Sequence, residues 1–337
     1  MTHFSTLIFS IMTTQLQRRR LLQAIATMTS AAAAGSLALP VFAQTGKPVQ
    51  ARIGYQKSST LLTVLKTNGT LEKLLAPLNV KISWHEFSSG LPLLEALNVG
   101  GVDLSADVAD TVPVFAQAAG AKLTYVAQEA PSPSAQAIIV RADSPIRTVA
   151  DLKRKKIAVT KAAGVHYLLI ATLEKAGLKF SDIDAAYLTP ADGRAAFERG
   201  SVDAWVTWDP FLAGVQKQTQ VRILSDGRNV ADYQRYYLAS TPFAEAHPDV
   251  LAIVFDELKK TGLWVRRNPK EAAAFLAPIW GLDAPTIELA NSRRSYDVRA
   301  VVVNALGEQQ RIADAFFAAG LLPKKVNATE VSIWKPA

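Results

Sequence analysis

Apolar and polar residues recur along the chain with two periods. Lys81–Phe87 (KISWHEF) alternates every second residue, as a half-buried strand does, whereas Ser59–Leu75 repeats its apolar positions at helical spacing. Ala51–Tyr55 (ARIGY) predicts a short strand, Leu91–Val99 a helix opened by Ser88-Ser89-Gly90, Val102–Leu104 a brief strand, Thr111–Ala119 a helix and Leu123–Ala127 a strand. This regular β–α alternation argues for a parallel-rich sheet covered by helices.

Pro131-Ser132-Pro133-Ser134 punctuates the pattern, and a second series follows. Strands are predicted at Ala137–Val140, Lys156–Val159, Ala185–Leu188, Asp203–Thr207 and Arg222–Leu224, with helices at Thr148–Lys153, Gly164–Ala176, Ala191–Arg199 and Pro210–Gln218. Tyr236–Ser240 reads as a strand leading out of the series. Beyond it the pattern is helical, at Asp249–Arg267, Lys270–Ile279, Pro285–Asn291 and Val302–Ala319. The order predicts an α/β protein of two lobes. The first takes residues 50–133 plus 240–337, the second 137–236, and the helical tail packs back on the first.

The N-terminal 43 residues obey a different logic. Arg18, Arg19 and Arg20 precede an uncharged, Ala-rich stretch, Leu21–Leu39, and Val41-Phe42-Ala43 is a small-x-small cleavage pattern. Residues 1–43 are therefore expected to be a signal peptide cut between Ala43 and Gln44. The stretch is too poor in Leu, Ile and Val for a stable membrane span. Arg18–Gln23 (RRRLLQ) resembles a twin-arginine signal, and Met12 is an alternative start. Removing the peptide lowers the net charge from +8 to +5, a modest preference for anions rather than the footprint of a nucleic-acid binder. The expected compartment is the periplasm.

Composition closes off most chemistry. With no cysteine, disulfides, thiolate zinc sites, iron–sulfur clusters, a Cys nucleophile and a lipoprotein anchor are all excluded. Histidine is limited to His3, His85, His166 and His247. His85 and Glu86 are strand neighbours that face opposite ways, and His247 precedes a Pro at a helix start. The sequence contains no nucleophile elbow, P-loop, HExxH or dinucleotide fingerprint. The expectation is a binding protein without cofactor or metal, not an enzyme.

Candidate binding residues gather where predicted strands end, the edge along which open α/β sheets form crevices. Gly54–Ser59 offers backbone N–H groups, the Gln56 amide and Lys57, although Ser58 or Ser59 would also serve as a plain helix cap. Asp107–Pro113 offers the Thr111 hydroxyl, with Asp110 better suited to holding the loop. In Thr160–His166, Gly164 and Val165 permit close backbone approach and His166 can donate from one ring nitrogen; packing is the alternative role for a lone helical His. Asp203–Pro210 places Trp205 and Trp208 on opposite strand faces, with Trp208 the better wall for an apolar ligand and Trp205 suited to the core. Tyr236 and Tyr237 suit either the cleft or the core.

These segments resemble the substrate-binding proteins of ABC transporters for aliphatic sulfonates, within the wider nitrate/sulfonate/taurine group. The resemblance rests on IGYQKSS at 53–59, FSSGLPLLEALNVGGVDL at 87–104, PVFAQAAGA at 113–121, SPIRTVADLK at 144–153, GLKFSDID at 177–184, YLTPADGRAAFERGSVDAWVTWDPF at 187–211 and LLPKKV at 321–326. It implies a two-lobed, type II periplasmic binding protein fold with two crossover strands and a hinge that closes on ligand. It also implies a monomer that delivers an organosulfonate to an inner-membrane ABC permease and binds no nucleic acid. Carried onto this sequence, it assigns Gln56, Asp110, Thr111, His166 and Trp208 to the ligand site, with Lys57, Gly164 and Val165 beside them. Two loops depart from the family pattern. Ala109-Asp110-Thr111-Val112-Pro113 stands where the family reads Gly-Asp-x-Pro-Pro, and Ala162–Val165 lacks the family's serines. Taurine, nitrate, a sulfate ester or another small anion are the alternative ligands; a taurine site would want a carboxylate, for which Asp107 is the candidate. Enzymes on related folds use a Cys nucleophile that this chain lacks.

Overall fold

Two sheets organise the computed structural model, which describes residues 47–336. The expected signal peptide, residues 1–43, and its expected cleavage point lie outside the described residues. The strands are β1 (Val49–Gln56), β2 (Val80–Phe87), β3 (Leu104–Ala109), β4 (Leu123–Glu129), β5 (Gln136–Arg141), β6 (Lys156–Val159), β7 (Asp184–Tyr187), β8 (Ala204–Trp208), β9 (Val221–Asp226), β10 (Arg235–Ser240), β11 (Val298–Arg299) and β12 (Ser332–Ile333). The first sheet has the order β11-β4-β10-β3-β1-β2, with β12 also on β4, and the second β7-β6-β8-β5-β9. In the first, β1 runs parallel to β2 and β3, while β10 lies antiparallel between β3 and β4. In the second, β6 runs parallel to β7 and β8, and β5 is antiparallel to β8 and β9. The chain crosses between the sheets twice, before β5 and again before β10.

Helices cover both faces of the first sheet, so β3 and β4 are buried along their whole length and do not alternate. That is why the predicted Val102–Leu104 strand falls short: the strand is Leu104–Ala109, where apolar and polar residues are buried alike. The remaining shifts have local causes. Gly69, at φ 59°, splits the predicted Ser59–Leu75 helix into Thr60–Asn68 and Thr70–Leu75. The predicted Thr148–Lys153 helix is a 3-10 turn, Val149–Leu152, and the predicted Val302–Ala319 helix starts only at Gly307. Gly54 allows the helix Gly90–Asn98 to lie on β1, since a Cβ there would stand 2.1 Å from Leu93 Cδ1.

One apolar core packs Ile53, Leu61, Leu71 and Tyr237 under the helix Pro248–Arg267. The larger core runs unbroken from Leu93, Val108 and Val112 on the first sheet, through Tyr233, to Ile138, Val165 and Trp208 on the second. The helical tail is not confined to the first lobe as expected. Its helix Gly307–Ala318 brings Phe316 to 4.9 Å from the His166 ring, so it lies across the seam between lobes.

Where β3 and β4 end and β10 begins on the first sheet, four charges are almost wholly buried. Arg235 Nη1 stands 2.7 Å from Asp107 Oδ2, and Arg294 Nη2 reaches the same oxygen at 3.2 Å and the Glu129 carboxylate at 2.7 Å. Arg294 Nη1 also donates to the Ser58 carbonyl, and the Tyr237 hydroxyl to Glu129 Oε1. Burial pushes the Asp107 carboxyl up while the two guanidinium groups pull it down, and Glu129 and Asp107 help hold Arg294 well above its ordinary value against burial. Removing one partner of such a set strands an unpaired buried charge. Arg294→Met is expected to lower stability by about 3–5 kcal/mol, read from the midpoint of urea unfolding; an unchanged midpoint would remove this network from the stability of the fold.

Candidate functional site

The helix Thr111–Ala118 starts directly after β3 and the helix Gly164–Lys175 shortly after β6, one from each sheet. Their first turns meet. A Cβ on Gly164 would lie 3.0 Å from Ala109 Cβ and 2.4 Å from a ring carbon of Tyr233. Tyr233 belongs to the second crossover and adopts φ 54°, the left-handed region. Arg235 holds it in place, with Nη2 donating to the Tyr233 hydroxyl at 3.0 Å and the guanidinium 5.0 Å from the ring centre. The buried charge network of the first sheet is thereby connected, through one tyrosine, to the helix start of the second.

Each helix start carries the positive end of a helix dipole. Ala163 provides no side-chain cap for its helix. Asp110 caps the other, accepting from Thr111 N at 3.0 Å and, across the crossover, from Gln234 N at 2.9 Å. Burial pushes the Asp110 carboxyl up to about 7, and nearby Glu308 adds to the rise. Thr111 is fully buried and its Oγ1 has no partner among the described residues.

Gln56 is buried; its Nε2 donates to the Asp107 carbonyl at 3.0 Å, and its backbone N–H is taken by Ser59 Oγ. Lys57 is exposed and lines a separate cavity on the first lobe. Val165 is fully buried. His166 is also fully buried, its ring 5.2 Å from Phe180, 5.4 Å from Tyr187 and 4.9 Å from Phe316. Burial drives its pKa down to about 3, with Lys161 adding to the drop, so the ring is neutral. Its Nδ1 accepts from Ala162 N at 3.2 Å, which places the ring proton on Nε2, an atom without a partner among the described residues. That contact holds Ala162 in its left-handed turn at φ 58°.

Trp208 is buried, edge-on to Phe211 at 5.5 Å, and pairs across the ladder with Gln136. Trp205 packs in a different core, on the opposite face, beside Phe197. Tyr236 and Tyr237 both pack in cores, on opposite faces of β10, with hydroxyls donating to Gln234 Oε1 and Glu129 Oε1. The structure thus gathers Asp110, Thr111, Gly164 and His166 along the seam, keeps Gln56 beside Asp107, and sets Lys57 apart.

Several residues at the seam were missed. Gln136 is fully buried with neither amide atom partnered among the described residues; its only signal was one polar residue heading the apolar run AIIV. Tyr233 gave no pattern at all. Arg293 and Arg294 stood out only as adjacent charges in the tail, yet they reach in different directions. Arg294 joins the first-sheet network, whereas Arg293 crosses to the second lobe, 3.2 Å from Asp209 and 2.5 Å from Gln216 Oε1. Asp209 also accepts from Ala213 N at 2.9 Å.

Burial pushes the Asp209 carboxyl up to about 7 from 3.8, against the pull of Arg293. Between those two values the folded protein holds the proton more tightly than the unfolded chain, so this group makes stability fall as pH rises. The urea midpoint is expected to decline from about pH 4 to pH 7, and because Asp110 is raised over the same window, Asp209→Asn is expected to make that decline shallower without removing it. An equal slope in both proteins would show that Asp209 does not titrate in that window.

A model of the NMT1/THI5 like family matches residues 78–272. The crystal structure of the periplasmic aliphatic sulphonate binding protein SsuA from Escherichia coli superposes with a TM-score of 0.76 at 43% identity, covering 85% of this chain and 98% of that one. The alkanesulfonate-binding protein SsuA from Xanthomonas axonopodis pv. citri, solved bound to MOPS, gives a TM-score of 0.80 at 38% identity, covering 86% and 99%. The taurine-binding periplasmic protein of Escherichia coli (strain K12) is 26% identical over 226 residues, covering 64% of this chain and 66% of that protein.

Proposed function

The chain belongs to the NMT1/THI5-like family, among its aliphatic sulfonate-binding proteins, and we propose that it captures alkanesulfonates between its two lobes and hands them to an ABC permease. It is a binding protein, not an enzyme. We place it in the periplasm, working as a single chain on a free small molecule.

The observation that carries this reading is the meeting of two helix N-termini from opposite lobes at Ala109 and Gly164. Two positive dipole ends brought together repel unless an anion lies between them. Closure over an anion converts that repulsion into attraction. A sulfonate is charged at every biological pH and only accepts hydrogen bonds, so the site needs donors and no base. Thr111 Oγ1, the Gln136 amide and the backbone N–H groups of Val112, Gly164 and Val165 fit that need, and neutral His166 shapes the Ala162 loop beside them. Hydrogen bonds to a charged group net about 1.5–3 kcal/mol each. About four to six of them, less the ordering costs, reach the roughly 8 kcal/mol of a micromolar complex. The alkyl chain would lie against Trp208.

Taurine fits less well. Its ammonium would want a free carboxylate, but Asp107 already serves Arg235 and Arg294. Asp209 is likewise engaged, by Arg293. That ion pair joins the tail of the first lobe to the second and would favour the closed form.

A thermal-shift screen tests the reading, because a ligand that binds only the native state raises Tm. Alkanesulfonates should raise it, and taurine, nitrate and inorganic sulfate should do so less at equal concentration. A rise with nitrate or taurine alone would overturn the assignment. Trp208→Ala should weaken octanesulfonate at least about tenfold more than methanesulfonate, since each buried methylene is worth about 0.8 kcal/mol. Gly164→Ala, whose methyl would displace Tyr233, should weaken every sulfonate alike by calorimetric titration. Unequal losses across chain lengths would place Gly164 at the tail instead.

A further inference from the structure

A second cavity lies on the first lobe alone, where β1 and β2 end. It encloses about 300 Å³ and is lined by Tyr55, Lys57, Thr63, Lys66, Glu86 and Trp280, among others. No residue of the second lobe lines it.

Its polar groups are mostly donors. Lys66 Nζ donates to the Tyr55 hydroxyl at 3.0 Å and stands 4.8 Å from that ring's centre. Tyr55 in turn donates to Glu86 Oε2 at 3.1 Å. Neither Lys57 nor Lys66 forms an ion pair among the described residues, so two cations face a single carboxylate. Thr63 is 4% exposed, and its Oγ1 has no partner among the described residues. A buried hydroxyl left unsatisfied is costly, and a bound acceptor would relieve that cost. Trp280, also 4% exposed, forms the apolar wall and brings an indole N–H that can only donate.

A buried hydroxyl without a partner, an indole N–H and an excess of positive charge around a small cavity suit a tetrahedral oxyanion. We propose that this cavity is a second oxyanion site, for sulfate or the head group of a small sulfonate, separate from the interlobe site. Its two lysines would also concentrate anions at this face of the first lobe by charge.

The test is a sulfate titration at constant ionic strength, followed through the indole N–H signals of the six tryptophans in 15N-labelled protein. Trp280→Phe assigns the reporter. Its signal should shift and saturate in the wild type, lose at least fivefold in affinity in Lys66→Gln and in Thr63→Val, and recover in Lys66→Arg. No sulfate-dependent shift at Trp280, or an equal one in Lys66→Gln, would overturn the proposal. Octanesulfonate, read at Trp208 in the same samples, reports the interlobe site independently. If Lys66→Gln weakened that response as well, the cavity would be part of the interlobe site and the claim of a separate one would fall.

Discussion

Asp107, Glu129, Arg235 and Arg294 are the charges on which the rest of the structure depends. They come from β3, β4, β10 and the tail, segments more than a hundred residues apart in sequence in most pairings. Taking four charges out of water is costly, and only mutual pairing with good geometry offsets it. The set is thus satisfied only when the strand order is right, with β10 returned from the second lobe to lie between β3 and β4. It also fixes the loop after β1, through Arg294 and the Ser58 carbonyl.

The same network reaches the seam. Arg235 holds Tyr233, and the ring of Tyr233 occupies the space that Gly164 leaves by lacking a side chain. A rigid charged base on one lobe and a bare backbone on the other allow two helix starts to come close. Arg293 adds a second tie between lobes, one residue from the network but pointing the other way. A protein that must close and reopen benefits from such a division. The base stays fixed in one lobe, while a polar tie across the seam such as Arg293 to Asp209 can be exchanged for solvent.

The site's electrostatics suit the holding of an anion. His166, the one histidine near the seam among the described residues, is buried among aromatic rings and neutral, with Nδ1 engaged by the backbone. The carboxyls of Asp110 and Asp209 are tied to backbone N–H groups, and Asp209 also to Arg293. Beside them stand donors and helix dipoles, which can hold an anion.

Local periodicity determined most of the elements, because strands such as Lys81–Phe87 and helices such as Pro248–Arg267 keep one face in the core and one in solvent. The absence of cysteine, the missing catalytic motifs and the helix starts after strands pointed to an anion-binding cleft in a two-lobed α/β protein. Boundaries slipped where burial was two-sided, as in β3, or where one glycine in the left-handed region broke a helix, as at Gly69. Gln136, Tyr233, Arg293 and the partners of Arg294 were not legible, since a polar residue in a strand or tail carries no local mark of what it will face. Sequence set which residues could donate to an anion. Only the tertiary structure decided which of them are already spent on neighbours, because that depends on contacts between segments far apart in the chain.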